Sequence, residues 1–189
     1  MNMGEPRLTP QAVSVEEYLA SEEAAAERHE FIDGIVYAMV GTTLIHNILA
    51  GAIYRTLSLQ LKLPCRAFMS DIKLRIETRR ATVFYYPDVL ITCGSHDPKS
   101  HWVDDPSLLI EVLSPSTERV DRIEKLAAYT QIKSLQTYLL VAQNEPRIDV
   151  YARAESWRPR SLGAGDTLTI AGLGVTLALD VLYADYLDA

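Results

Sequence analysis

Hydrophobic residues recur along this chain with two different periods, one helical and one typical of strands. Over residues 44–61 apolar side chains return every three or four positions, which predicts an amphipathic helix. Short aliphatic and aromatic runs predict strands over residues 66–70 with 72–76, then 82–86, 89–92 and 108–113. Helical and strand patterns are interleaved, so we predict a mixed α/β (α+β) fold with a central mixed sheet flanked by helices.

The two ends of the chain continue this alternation. Residues 14–30 are acidic and rich in alanine, which predicts one or two short helices with Ser14 as the N-cap and Glu30 at the end. Asp33-Gly34 stands between two apolar runs and predicts a β-hairpin. The remaining expectations are a loop over 94–106, a helix over 117–132, a strand pair at 138–142 and 148–151, two short strands around Gly172 and Gly174, and a helix over 181–187.

Composition is that of an ordinary globular protein, with 48% hydrophobic and 23% charged residues among 189. We predict one domain over residues 1–189, with a flexible N-terminus over 1–12. Residues 1–10 lack the layout of a signal peptide, and no apolar run is long enough for a membrane span. A cytoplasmic protein is therefore expected, in which Cys65 and Cys93 are reduced, packed thiols.

The net charge of −7 counts against a broad electrostatic grip on nucleic acid. It leaves room for a local basic groove. Basic residues are concentrated near one predicted strand pair and form a candidate contact with a phosphate backbone: Arg66, Lys73, Arg75, Arg79 and Arg80.

Two carboxylates occur at buried strands, and they are the strongest chemical signal. Glu111 interrupts the most hydrophobic run of the chain, and Asp88 follows Pro87 directly before another aliphatic strand. A lone buried acid is usually a structural ion pair, and an aspartate after proline usually stabilises a turn. The two together favour a shared site for a hard divalent cation, since oxygen ligands suit Mg²⁺.

The predicted helix after Glu111 carries Asp121, Lys125 and Tyr129 at intervals of four residues, on one face. That face points away from the apolar residues of the same helix, so spacing alone favours a solvated face slightly over a catalytic one. Three weaker signals accompany it. Ser116 and Thr117 could hold a phosphate at the start of the helix, although capping is the ordinary role. Glu30 and His46 would ordinarily be a surface acid and a packing residue.

The order of these motifs resembles the Uma2 family over nearly the whole chain from Ser14. The resemblance is carried by Glu30-Phe31-Ile32-Asp33-Gly34 with Tyr37 and Met39, His46, Pro87-Asp88-Val89, the run from Ile110 to Thr117, and Asp121, Lys125 and Tyr129. The family is grouped with restriction-endonuclease-like PD-(D/E)xK nucleases. The resemblance thus implies a sheet flanked by helices and metal-dependent cleavage of phosphodiester bonds.

The resemblance also assigns roles to residues. Asp88 and Glu111 match the two metal-binding acids, helped by the carbonyl of Val112, and Glu30 matches a third acid that reaches the same site. The superfamily pattern expects lysine two positions after the second acid, where this chain has Leu113. Lys125 matches a lysine that has moved to the following helix, and this reverses the preference for a solvated face; Glu124 and Lys73 are weaker substitutes.

The expected activity is therefore that of an endonuclease using Mg²⁺ or Mn²⁺ on nucleic acid, with DNA as the expected substrate. The cation would activate water and neutralise phosphate charge, with Lys125 next to the same phosphate. Accessory roles fall to His46, Asp121 and Tyr129. Two alternatives stay open: a nuclease-fold module for DNA binding or assembly, and a structural protein whose acids pair with Lys125 and Arg122. A homodimer through Tyr183 and Tyr186 is also expected.

Overall fold

Thirteen strands and four α-helices make up most of the described chain, which in this computed structural model comprises residues 12–39, 41–78 and 81–184. The helices are α1 (Val15–Ala24), α2 (Leu44–Gln60), α3 (Leu126–Tyr129) and α4 (Leu179–Tyr183), and a π-helical turn, Val120–Lys125, runs directly into α3. The strands are β1 (His29–Ile32), β2 (Ile35–Ala38), β3 (Arg66–Met69), β4 (Lys73–Glu77), β5 (Thr82–Tyr85), β6 (Val89–Thr92), β7 (Trp102–Val103), β8 (Pro106–Val112), β9 (Thr137–Val141), β10 (Ile148–Ala152), β11 (Pro159–Leu162), β12 (Thr167–Ile170) and β13 (Val175–Ala178).

The strands form two large mixed sheets and one small one. A five-stranded sheet has the order β2-β1-β5-β4-β7, and only β4 and β7 are parallel. A six-stranded sheet has the order β11-β10-β9-β8-β6-β3, and only β8 and β9 are parallel. Strands β12 and β13 form an antiparallel pair. The mixed α/β class is confirmed, although the strands divide between two sheets instead of sharing a single central one.

Hydrophobic packing arranges these sheets in layers. One core lies between the two large sheets and includes Leu74 and Tyr85 from the first and Leu109 and Tyr138 from the second. A second core lies on the far face of the six-stranded sheet, under α2, α4 and the small sheet. A small aromatic core around Phe84 lies beneath α1, on the far face of the five-stranded sheet. Each large sheet is thus covered on both faces.

The predicted hairpin and the long helix are confirmed. Asp33 and Gly34 join β1 to β2 with φ angles of 47° and 85°. Two positive φ values in a two-residue loop are the type I′ geometry that Asp-Gly favours. Helix α2 ends at Gln60, and the Thr43 hydroxyl caps it by accepting a hydrogen bond from the amide of His46.

Other boundaries differ from the prediction. Glu30 lies in β1 and not at the end of a helix, because α1 already ends at Ala24. Residues 66–77 form two strands in different sheets, and the expected loop over 94–106 includes β7 and the first residue of β8. The C-terminal part contains β11 in addition to the two expected strands. The expected flexible N-terminus falls almost wholly outside the described residues.

The expectation of two reduced cysteines is wrong in this structure. Cys65 and Cys93 directly flank β3 and β6, which pair antiparallel with Arg66 opposite Thr92. This register places the two cysteines opposite each other, and they form a disulfide. Separately, none of the described helices is both long and apolar enough to cross a membrane.

Candidate functional site

Glu111 lies on β8, near the middle of the six-stranded sheet and on the face that looks toward the other large sheet. The alternation expected from the sequence holds, because Leu109 and Leu113 join the core between the sheets while Ile110 and Val112 join the opposite core. The Glu111 side chain is only 4% exposed. Its carboxylate is therefore held inside the protein, where it needs a charged or hydrogen-bonding partner.

The segment after β8 turns its polar face inward. Asp121, Lys125 and Tyr129 are buried, whereas Ile123 is 58% exposed. Residues 120–125 form a π-helical turn, a conformation that is rare in proteins and common at functional sites. The expectation of a solvated face from spacing alone is wrong, since this helix buries an acid and a base and exposes an isoleucine. Such an arrangement costs stability, which favours a functional reason for it.

Lys125 is the centre of the buried charges. Its Nζ atom lies 3.2 Å from Glu111 Oε1, 3.2 Å from Asp121 Oδ1 and 3.5 Å from Glu30 Oε1. The ammonium also lies 5.6 Å from the centre of the Tyr85 ring. Glu30 comes from the five-stranded sheet, Glu111 from the six-stranded sheet, and Asp121 from the π-turn. One lysine thus joins three carboxylates from three elements, and we call Glu30, Glu111, Asp121 and Lys125 the acid–lysine cluster.

Charge is unbalanced in this cluster, and the pKa values reflect it. Burial disfavours the charged form of Lys125, but Glu111, Glu30 and Asp121 outweigh it and raise the pKa of Lys125 well above its ordinary value. Burial also disfavours the charged form of Glu111 and so raises its pKa well above the ordinary value. Lys125 lowers that pKa, whereas Asp121 and Asp88 raise it further. The lysine therefore stays protonated, and three carboxyl groups face a single ammonium.

Tyr129 completes the surroundings of Glu111. Its hydroxyl donates a hydrogen bond of 2.8 Å to Glu111 Oε1, the oxygen that Lys125 also contacts. Burial and the neighbouring Glu111 charge raise the pKa of Tyr129 well above its ordinary value, so the phenol remains a donor. Among the described residues, the hydrogen bonds that Lys125 and Tyr129 donate to the Glu111 carboxylate both end on Oε1. The other oxygen, Oε2, is left for a further partner.

Asp88 lies where β6 begins, beside the end of β8. Its Oδ2 atom accepts a hydrogen bond of 2.7 Å from the amide of Val112, the residue after Glu111. His46, in the first turn of α2, places Nε2 3.2 Å from the same Oδ2. Burial lowers the pKa of His46, but the hydrogen bond and charge of Asp88, together with the backbone of Val112, raise it above the ordinary value. The structure thus brings Asp88, His46 and Val112 together.

An ion pair anchors the π-turn to the neighbouring strand. Arg122 donates to Asp149 Oδ2 at 2.8 Å and to Glu118 at 2.7 Å, and the Ser161 hydroxyl donates to Asp149 Oδ1 at 2.6 Å. Burial opposes ionisation of Asp149, but the bonds from Ser161 and Arg122 keep its pKa below the ordinary 3.8. The structural alternative expects the buried acids to pair with Lys125 and Arg122. Lys125 does pair with Glu111, whereas Arg122 pairs with Glu118 and Asp149.

Removing the Asp149 charge should loosen this anchor. Asp149→Asn should lower the free energy of unfolding by about 1.5–3 kcal/mol at pH 7, since hydrogen bonds to a charged group are lost. A depressed pKa stabilises the fold above the unfolded value of 3.8 and ceases to do so as pH falls through the folded value. Urea unfolding should therefore show a gap between wild type and variant at pH 7 that narrows at about pH 3. An equal gap at both pH values would contradict this, and the exposed Asp97→Asn is the control.

The Ser114–Thr117 turn is closed by its own hydrogen bonds. The Ser114 hydroxyl bonds the hydroxyls of Ser116 and Thr117, both at 2.9 Å, and accepts from the Thr117 amide. The Ser114 carbonyl accepts from the amides of Thr117 and Glu118. The amides of Thr117 and Glu118 are thus already used within the turn, and the hydroxyls of Ser116 and Thr117 are the side-chain groups that could meet a phosphate there.

Several expected residues lie away from the site. Lys73 lies on the opposite face of the five-stranded sheet, toward Tyr86, and Glu124 is bound to Arg119 at the surface. Arg66 lies on the six-stranded sheet, whereas Lys73 and Arg75 lie on the five-stranded sheet, so these basic residues do not share the expected strand pair. Arg79 and Arg80 lie outside the described residues.

The expected dimer surface is wrong at Tyr183. That side chain is 2% exposed and donates its hydroxyl to the carbonyls of Ala142 and Arg147. Tyr186 is outside the described residues.

Comparison of the chain with known proteins identifies its family. The family model of Uma2, described as "Putative restriction endonuclease", matches residues 15–181. The chain belongs to the Uma2 family. It is 37% identical over 183 residues to "Uncharacterized protein slr1290" of Synechocystis sp., covering 94% of this chain and 92% of that protein. It is 34% identical over 149 residues to "Uncharacterized protein sll1609" of the same organism, covering 77% and 83%.

A solved structure shares the fold of this Uma2 protein. It is described as a "putative nuclease belonging to DUF820" from Anabaena variabilis and superposes with a TM-score of 0.72. The match covers 91% of this chain and 98% of that one at 15% sequence identity. At this identity the likeness shows the fold alone.

The oxygen atoms of this Uma2 site fit a hard divalent cation by their chemistry. Asp88 and Glu111 each use one carboxylate oxygen for hydrogen bonds within the described residues and leave the other one. The excess negative charge around Lys125 also favours an added cation. The described part of the chain holds no ready-made group of three or more His, Cys, Asp or Glu with metal-binding geometry. Two acids and the Val112 carbonyl would therefore be the protein ligands.

Sequence reasoning missed two residues that shape this Uma2 site. Gln143 follows β9, donates to the Leu113 carbonyl and accepts from the Thr43 hydroxyl, so it joins the end of β8 to the cap of α2. Tyr85 lies beneath the Lys125 ammonium. No sequence signal distinguishes either one, because an isolated glutamine after a strand and a tyrosine within a strand are both ordinary.

Proposed function

We propose that this Uma2 protein is an endonuclease that cleaves phosphodiester bonds of nucleic acid, with DNA as the substrate and Mg²⁺ or Mn²⁺ as the cofactor. The observation that carries the proposal is the buried acid–lysine cluster beside Asp88. Four acids surround one lysine and one histidine, and a helix exposes an isoleucine to bury two of these charged groups. Structural ion pairs can be replaced by apolar packing at little cost, so a functional reason is the better explanation.

Each residue of the site has a role in this proposal. Asp88, Glu111 and the Val112 carbonyl would hold the cation, which supplies Lewis-acid stabilisation of the charge that develops on a phosphodiester during cleavage. Lys125 holds Glu111 in place and supplies positive charge for the scissile phosphate or the attacking water. Glu30 lies on the five-stranded sheet and fixes the position of the Lys125 ammonium.

Neighbouring side chains position these groups. His46 fixes the Asp88 carboxylate at 3.2 Å, and Tyr129 fixes Glu111 at 2.8 Å. Asp121 holds Lys125 at 3.2 Å from within the same π-turn. The hydroxyls of Ser116 and Thr117 are proposed to contact a phosphate, which requires them to exchange their bonds with Ser114. The contacts of His46, Tyr129 and Asp121 each restrict a side-chain rotamer, as a preorganised site requires.

Three observations favour the alternative, a nuclease-fold module that binds nucleic acid or assembles without cleaving it. In the part of the chain that is described, Lys125 already has three carboxylate partners, and no cluster of three metal-binding side chains is ready-made. The net charge of −7 also gives no general attraction for DNA. This alternative predicts binding or assembly without turnover.

A cleavage assay tests the proposal directly. We expect wild type to cut at least one labelled substrate, from a panel of duplex and single-stranded DNA and RNA, with Mg²⁺ or Mn²⁺ but not with EDTA. Asp88→Asn should slow cleavage about 100-fold, since one group that stabilises transition-state charge is lost. Asp97→Asn, at an exposed position, should cut like wild type.

The outcomes separate the alternatives. Wild type that binds a labelled substrate without cutting it under any metal condition would favour the binding module. Cleavage that Asp88→Asn leaves unchanged would remove Asp88 from the site. Circular dichroism and urea unfolding of each variant would show that a loss of cleavage does not come from a loss of fold.

A further inference from the structure

A second site lies on the opposite face of the five-stranded sheet from the acid–lysine cluster. A cavity of about 310 Å³ opens there between α1, the start of β4 and β7. Leu19, Ala20 and Trp102 form its apolar wall, and Lys73 lies in its lining with Arg28. A volume of this size is at the lower end of the range for small-molecule sites.

Lys73 is the unusual member of this lining. It is 8% exposed, and its Nζ atom makes no hydrogen bond or ion pair with any residue in the described ranges. The Lys73 Nζ atom lies over the Tyr86 ring, 5.4 Å from its centre. Burial lowers the pKa of Lys73, Glu22 raises it, and the nearby Arg28 charge lowers it. A buried ammonium that no carboxylate contacts directly is costly, so an anion that reached it would be held strongly.

Three acids line the cavity: two of them are engaged by other residues, and the third, Glu23, is an exposed residue of α1. Glu22 Oε1 accepts from the Tyr86 hydroxyl and from the His29 amide, both at 2.9 Å, and Glu22 Oε2 lies 3.1 Å from His29 Nδ1. Asp71 lies 3.2 Å from Arg28 and its side chain is 81% exposed. Lys73 is thus left as the cation of this cavity that has no partner within the described residues.

We infer that the cavity binds a small organic anion, with its carboxylate or phosphate on Lys73 and its apolar part along Leu19, Ala20 and Trp102. Arg28 is paired with Asp71, so the charge that favours an anion over a neutral ligand is the ammonium of Lys73. The inference does not depend on the proposed nuclease activity, since Lys73 and Glu111 lie on opposite sides of the five-stranded sheet.

Calorimetric titration of the full chain tests the inference. The probes are AMP as an aromatic phosphate monoester and indole-3-acetate as an aromatic carboxylate, each with a neutral counterpart, adenosine and indole-3-acetamide. We expect at least one anion to bind, its neutral counterpart to bind at least about 10-fold more weakly, and Lys73→Met to weaken the anion by a similar factor. The exposed Lys99→Met should bind like wild type.

A second variant keeps the lysine and blocks the space. Ala20→Leu adds bulk to an exposed position of α1 that lines the cavity, and should also weaken binding at least about 10-fold while leaving Lys73 in place. Asp88→Asn should bind the anion like wild type, so failure of the nuclease proposal leaves this result intact. Binding of AMP alone would assign a phosphate ligand, and binding of indole-3-acetate alone a carboxylate. Binding of neither anion, or an affinity of Lys73→Met or Ala20→Leu for the anion equal to that of wild type, would overturn the inference.

Discussion

Lys125→Met should lower the free energy of unfolding by about 3–5 kcal/mol at pH 7, the cost of removing one partner from a buried ion pair. The ammonium is the cation within 3.5 Å of Glu30, Glu111 and Asp121, and its side chain is 8% exposed. Solvent therefore cannot replace it. Urea unfolding measures the loss, and Lys133→Met, at an exposed position near the same helix, should change stability by less than about 0.5 kcal/mol.

The pH dependence of this loss has a definite sign. Burial raises the pKa of Glu111, and Lys125 lowers it more than Tyr129 does, so the variant raises that pKa further. A carboxyl with a raised folded pKa contributes stability below its unfolded pKa of 4.5 and loses it as pH rises through the folded value. The free energy of unfolding that Lys125→Met loses should therefore be smaller at about pH 5 than at about pH 8.

A double variant distinguishes charge from packing. Adding Glu111→Gln to Lys125→Met removes one of the uncompensated acids and should recover part of the lost stability. If the single variant stays within about 1 kcal/mol of wild type at pH 8, the three carboxylates do not depend on the lysine for their burial. The acid–lysine cluster would then be a poor candidate for a preorganised site.

Local chemistry explains what could be predicted of the fold. Asp33-Gly34 specifies its own turn, because two positive φ angles suit that pair, and the apolar period of α2 is long enough to be unambiguous. The acidic residues around Glu30 predict a helix there, yet pairing with Tyr37 across the hairpin places Glu30 in a strand. Strand pairing is a long-range property, which composition within one segment does not report.

The site shows the same division. Asp88 and Glu111 could be predicted as a pair because acids at two buried strands are unusual, and the structure connects them through the Val112 amide. The inward face of Lys125 could not be predicted from spacing, since periodicity assigns charged residues to solvent and this helix buries them. The Cys65–Cys93 bond was missed because it depends on the β3–β6 register, which no local signal encodes.

Glu111→Gln should slow metal-dependent cleavage about 1000-fold, near the upper limit for loss of a single charge-stabilising group, while leaving the protein folded. Glutamine keeps the shape of the glutamate side chain. Its amide oxygen can accept the hydrogen bond that the Tyr129 hydroxyl donates to Glu111 Oε1 at 2.8 Å. It cannot supply the negative charge that a divalent cation requires. The same cleavage assay measures the rate, with Glu124→Gln as control, because Glu124 is bound to Arg119 at the surface of the same segment.

A readout that does not involve activity separates loss of the cation from loss of catalysis. Mg²⁺ at about 100 times its dissociation constant should stabilise wild type by about 2.7 kcal/mol against urea, because the cation binds the folded state alone. Glu111→Gln should lose most of this stabilisation and Glu124→Gln should keep it. If Glu111→Gln loses cleavage but keeps the full stabilisation, Glu111 acts on the substrate and does not hold the cation. If Mg²⁺ and Mn²⁺ stabilise no variant, including wild type, the carboxylates around Lys125 serve as structural ion pairs.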